Sequence, residues 1–196
     1  MSKARHLWKD RVARLGSLIQ LAFAAFWFIR GALATDWLFR LPIAIILATG
    51  VIAFGVWGEK RTRKLVAAPT GFAAKILERQ ITIATVLQLV ASFILPEVVI
   101  MLGRPDLIVG SVSVSIGALL LWLYAKLRTS GHLLMGILLV IVPIGLAIFL
   151  NGNALTALSG LTVGVMLVIS ALIGLRSLID GKGGMSPRIT VRHSSS

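Results

Sequence analysis

The stretch "LIVGSVSVSIGALLLWLYAKLR", Leu107 to Arg128, decides the fold. Its apolar run is about 20 residues long, the length that a helix rising roughly 1.5 Å per residue needs to cross roughly 30 Å of hydrocarbon. Its basic residues, Lys126 and Arg128, stand together at one end. Five other runs have the same character: Leu15–Ala34, Leu41–Trp57, Ile81–Leu102, His132–Leu150 and Ala154–Leu175. Of the 196 residues, 57% are hydrophobic and 14% charged. A soluble domain of that composition would expose far more apolar surface than the roughly few hundred Å² that a soluble monomer tolerates. Lipid offers no water to unpaired backbone groups, and the runs are continuous rather than alternating, so helices are expected over barrel strands. The expected fold is all-α. It is a polytopic membrane protein with six transmembrane helices in one domain over 15–178, a basic arm at 1–14 and a tail at 179–196.

Charge gives the expected orientation. Lys3, Arg5, Lys9, Arg11 and Arg14 lie before the first run, and Lys60, Arg61, Arg63, Lys64, Lys75 and Arg79 lie between the second and third. Lys126 and Arg128 follow the fourth, and Arg176, Lys182, Arg188 and Arg192 follow the sixth. The opposite side carries Arg30, Arg40 and Arg104 against Asp36, Glu97 and Asp106, which cancel. The whole excess of +13 therefore lies on one side. Cationic connections stay inside, so both termini are expected in the cytoplasm of a bacterial inner membrane. Anionic lipids are the expected partners of that side, and nucleic acid is not.

Short turns on the balanced side join consecutive runs into three antiparallel hairpins. Trp8, Trp57, Trp122 and Tyr124 fall near the inner boundary and Trp37 near the outer one, as interfacial anchors. Arg30 interrupts the first run before "ALA" (Ala32–Ala34), so that segment is read as a retained span rather than a cleaved signal. The terminal "HSSS" is left out of the fold reading. The absence of cysteine excludes disulfides, thiolate zinc sites, iron–sulfur clusters and cysteine nucleophiles.

Three inward-running segments share a rhythm: "GVIAFGVWGEKR" (Gly50–Arg61), "GALLLWLYAKLR" (Gly117–Arg128) and "GVMLVISALIGLR" (Gly164–Arg176). The first and third runs also share "IQLAFAAF" and "LQLVASFI", which points to a repeated hairpin. With six helices, cytoplasmic termini and the ending "VGVMLVISALIGLRSL" (Val163–Leu178), the chain resembles HdeD-type bacterial inner-membrane proteins. That resemblance implies a role in acid stress and brings no catalytic signature with it.

Glu97 follows Pro96 about five residues from the outer end of its run, and Arg30, Arg40 and Arg104 cluster at the same level. A carboxylate at that depth is expected to pair with a cation. The expected site is an outward-facing polar recess of Glu97, Arg30, Arg40, Arg104, Asp36 and Asp106, binding a small solute, a proton or a lipid headgroup. Gln20 and Gln88 lie within the membrane, where each amide needs a partner. Glu97 and Gln88 are nine residues apart, on opposite helix faces, which argues against one continuous pore. Thr156, Gly160 and Gly164, and Ser113 with Gly117, repeat the four-residue small-residue spacing of close helix packing.

Enzyme chemistry is not expected. His6, His132 and His193 share no helix at metal-ligand spacing, so neither a metal nor a cofactor is expected. The serines of "GSVSVSIG" have no base at their depth, and "IDGKGG" has no Ser or Thr after Lys182. The alternatives to a binding protein are a small transporter or channel subunit, and an accessory subunit that docks on a homo-oligomeric or other membrane partner through its glycine faces and its basic cytosolic surface.

Overall fold

The computed structural model describes residues 2–62 and 72–180, with side chains from Asp10 onward except at 73 and 74. The connection at 63–71, the tail from Gly181 and the side chain of Trp8 lie outside the described residues. The secondary structure described is helical, with no strand. The helices are α1 (Ser2–Leu33), α2 (Arg40–Thr62), α3 (Phe72–Met101), α4 (Ile108–Leu127), α5 (Ser130–Phe149) and α6 (Gly152–Ile179), and a 3-10 turn at Pro105–Leu107 precedes α4. All six are long and apolar enough to cross a membrane.

Several helices run past the apolar segments toward the cationic side. The arm read as 1–14 is helical from Ser2 and continuous with α1, and α3 begins at Phe72 rather than at Ile81. Hydropathy marks where lipid would stop. Helix, by contrast, continues while its hydrogen bonds are made and no proline intervenes, and none lies between Ser2 and Leu33.

The broadest interface lies between α1 and α6, followed by α1 with α2 and α4 with α5. Small residues make these seams. A Cβ on Gly160 would lie 2.8 Å from Gly31 Cα and 3.0 Å from Trp27 O, and one on Gly31 would lie 2.8 Å from Leu161 N. Gly164 takes the Phe28 ring. On α2 the buried residues Ala44, Ala48, Val51 and Gly58 follow helical spacing. Gly117 and Gly136 bring α4 and α5 together in the same way, a Cβ on either approaching the other's carbonyl oxygen to about 3 Å. Where lipid is as apolar as leucine, such close backbone approach supplies the attraction between helices.

Pro143 lies inside α5 and cannot donate to the carbonyl four residues back, at Leu139. Ser113 Oγ, from α4, donates to that oxygen at 2.8 Å and is fully buried. One helix thus repairs a defect in its neighbour.

α3 stands apart. It packs mainly on α4, touches α1 sparsely, and none of its described side chains is buried. That loose attachment positions the site.

Candidate functional site

Between α1, α3 and α4 the bundle leaves two adjoining cavities, of about 520 and 320 Å³. The first is lined on α1 by Phe23, Phe26, Trp27 and Arg30 and on α3 by Leu89, Ser92, Phe93 and Pro96, with Ile108 and Val112 behind. Phe26 and Phe93, on its two walls, are 53% and 71% exposed, so it opens sideways toward the surroundings of the bundle. The second cavity runs toward the start of α1 and includes Arg11, Gln20, Glu78, Thr82, Thr85 and Gln88. Phe23 lines both and marks their junction.

The wall formed by α3 follows from helix geometry. At about 100° per residue, Glu78, Thr82, Thr85, Gln88, Ser92 and Pro96 fall within an arc of about 120°. All six line the cavities. Between Ile81 and Ile94 the rest of the helix is apolar, exposed at Ile83, Val86, Leu87, Val90 and Ile94, as a lipid-facing surface requires. Gln88 Nε2 donates to Ser92 Oγ at 2.7 Å, Ser92 Oγ donates to the Gln88 carbonyl at 3.0 Å, and Ser115 Oγ, 3.4 Å from Ser92 Oγ, donates to Val112 O at 2.8 Å. Gln20 and Gln88 face the same cavity without bonding to each other. Pro96 leaves the Ser92 carbonyl without its usual donor, as Pro143 leaves that of Leu139. No side chain among the described residues donates to the Ser92 carbonyl.

Arg30 is the one charged residue of the first cavity. Its Nε is buried with no hydrogen-bond partner, and the residue makes no ion pair among the described residues. Trp27 Nε1, on the same wall, is likewise buried and unpartnered.

The six charged residues expected to form one recess are not gathered there. Glu97 is exposed, makes no ion pair among the described residues and does not line the cavity, because one residue beyond Pro96 turns its side chain about 100° away. Arg40 and Asp36 are exposed, and Arg40 Nη1 reaches only the Thr35 carbonyl at 3.4 Å. Arg104 pairs with Asp106, Nε to Oδ1 at 3.0 Å and Nη2 to Oδ2 at 3.1 Å. The hydrogen bond to Asp106 raises the already high pKa of Arg104, which stays cationic. Asp106 Oδ2 also accepts the Gly152 N–H at 3.1 Å. The carboxylate therefore caps α6 from the α3–α4 turn and satisfies one of the donors that a helix start leaves unpaired. Thr156, Gly160, Gly164, Ser113 and Gly117 lie in the seams described above or beside them, with Thr156 Oγ1 donating to Gly152 O at 3.2 Å.

The polar ladder of α3 went unread in the sequence. Its signal was present, a step of three or four residues from Glu78 to Ser92, but the hydroxyls and amides are diluted among apolar neighbours.

A third cavity, of about 430 Å³, lies where the start of α1, the α4–α5 turn and the end of α6 meet. It is lined by Asp10, Ser17, Gln20, Arg128, Thr129, Ser130, His132, Ser170 and Ser177 among apolar residues that include Leu120, Leu123, Met135 and Ile173. Arg128 adopts φ 55°, a left-handed conformation uncommon outside glycine, which ends α4 at this recess. Nearby, Arg14 Nε donates to Glu59 Oε2 at 3.1 Å and ties α1 to α2.

No protein-family model, curated protein or solved structure matches the chain. The function must be read from the site.

Proposed function

We propose that this chain is a non-enzymatic, multi-pass membrane protein that holds an anionic phospholipid in the lateral groove between α1 and α3. Arg30 carries the reading: a guanidinium with a buried, unpartnered Nε in a cavity otherwise lined almost wholly by apolar side chains. An unpaired cation in low dielectric is costly and attracts a counter-ion. A phosphodiester presents two oxygens to the guanidinium fork, and the exposed Phe26, Phe93 and Ile100 suit its acyl chains. The sideways opening favours a lipid already in the bilayer over an anion arriving from water.

The setting belongs to the same proposal. The six helices form three antiparallel hairpins in a bacterial inner membrane, with both termini in the cytoplasm and the cationic side against anionic headgroups. The likeness to HdeD-type proteins adds an acid-stress role, tested by survival at low pH with and without the gene.

The lipid assignment is tested by extracting the lipids that co-purify with the protein in mild detergent. Phosphatidylglycerol is expected to be enriched over the membrane extract, and Arg30→Gln is expected to lower that enrichment about tenfold, the equivalent of one charge-assisted contact. A fatty acid in its place, or equal retention by the variant, would overturn the assignment. Because the chain has no cysteine, Asp36→Cys and Arg176→Cys report orientation directly. An impermeant maleimide on intact cells is expected to label only the first.

A second reading, a transporter of a small polar solute, rests on the hydroxyl-rich recess at Asp10 and His132. Solute flux into vesicles that is lost on Ser130→Leu would favour it. Gly160, Gly164, Ser113 and Gly117 are engaged within the chain, which disfavours an accessory subunit docking through those faces and leaves it the basic surface.

A further inference from the structure

We infer that the groove carries phospholipid headgroups across the membrane, so that the protein equilibrates lipid between the two leaflets without an energy source. This rests on the lipid-binding reading and extends it from holding a lipid to moving one.

The first observation is length. Arg11 and Arg30 line opposite ends of the paired cavities, and 19 residues of helix separate them by roughly 28 Å, against roughly 30 Å of hydrocarbon. On the facing wall, Glu78 to Pro96 covers roughly 27 Å. The two cavities together therefore cover nearly the full depth that a headgroup must cross.

The second is continuity of polar partners. A headgroup entering hydrocarbon loses its hydrogen bonds to water, and its passage is slow unless other groups replace them. From one end to the other the groove offers donors to the phosphate from Gln20 and Arg30 on α1 and Thr82, Thr85, Gln88 and Ser92 on α3, while Glu78 accepts from the headgroup's glycerol hydroxyls. The acyl chains need no passage of their own, since the groove opens sideways and its outer walls are apolar.

The third is the crossing point. Phe23 belongs to both cavities, and at their junction the hydrogen bond from Gln88 Nε2 to Ser92 Oγ links the wall of one to the wall of the other. Pro96 frees the Ser92 carbonyl as a further acceptor on this wall. In α5, the equivalent carbonyl at Leu139 is sealed by Ser113. The Ser92 carbonyl is thus open to the groove where an ordinary helix seam would close it.

The experiment uses the full chain reconstituted into phosphatidylcholine vesicles that carry a trace of headgroup-fluorescent phosphatidylglycerol, with dithionite added outside. Protein-free vesicles lose only outer-leaflet fluorescence. Vesicles holding the protein are expected to lose both populations, and Ser92→Leu is expected to slow the second phase about tenfold, the loss of roughly one hydrogen-bond partner. Pro96→Ala restores the helix donor and should slow the same phase without weakening the fold. That separates a lost track from a damaged protein. If phosphatidylglycerol co-purifies through Arg30 but the inner leaflet stays protected, translocation is wrong and binding stands. If no lipid is retained and the inner leaflet stays protected, both are wrong. If Pro96→Ala and Ser92→Leu leave the rate unchanged, the groove is not the route.

Discussion

Against α6, helix α1 approaches so closely that a Cβ on Gly160 would strike the Gly31 backbone; against α3, the same helix leaves two cavities of about 520 and 320 Å³. Glycine faces glycine on the first side, whereas phenylalanines, a glutamine and two arginines face hydroxyls, an amide and a carboxylate on the second. A membrane helix is held by contact rather than by expulsion of water, so the residues that permit approach decide which seams close. The two prolines repeat the contrast. Pro143 frees a carbonyl that Ser113 seals within the tight α4–α5 seam, whereas Pro96 frees one on the wall of the groove.

The contrast can be broken most severely at the closed seam. Gly160→Leu must push its side chain into the Gly31 and Trp27 backbone, and the expected cost is about 3 kcal/mol or more. Loss of a monodisperse peak in detergent would register it, whereas Leu introduced at Ser92 is expected to leave that peak in place. Next comes the cap. Asp106→Ala removes the acceptor of the Gly152 N–H, and thermal unfolding in detergent should show a loss of about 1 kcal/mol, the usual value of an N-cap. The bridge to Arg104, whose own side chain is half-exposed, adds little to that figure.

The proline pair gives a finer test. Ser113→Ala strands the Leu139 carbonyl and should destabilise by about 1 kcal/mol, while Ser92→Ala, whose hydroxyl seals no such carbonyl, should cost measurably less in the same melt. Equal losses would show that the open and sealed carbonyls do not differ. The smallest effect belongs to Glu97→Gln. An exposed side chain without an ion pair among the described residues should change both stability and lipid retention by less than about 0.5 kcal/mol, measured by melt and by lipid extraction.

Six helices long enough to span, and their all-α character, were legible in the amino-acid sequence because lipid imposes a simple rule: a run of about 20 apolar residues must satisfy its own backbone. The small-residue spacings at Ser113, Gly117, Gly160 and Gly164 were equally visible, since only small side chains let backbones meet. The cluster of charges near Glu97 was misleading. Nearness in sequence-derived depth does not give a shared face, and Arg104 spends its charge on Asp106, whose second task is to cap a helix 46 residues away.

The sequence alone determined the solvent of this chain, the number of its helices and the distribution of its charge, because each depends on local composition summed along one segment. Only the tertiary structure decided which helices close against α1, that α3 stands off, and that Arg30 rather than Glu97 faces the resulting groove. Those outcomes depend on the relative rotation of helices, which is set by pairwise packing between residues far apart in the chain and is not encoded in any one segment.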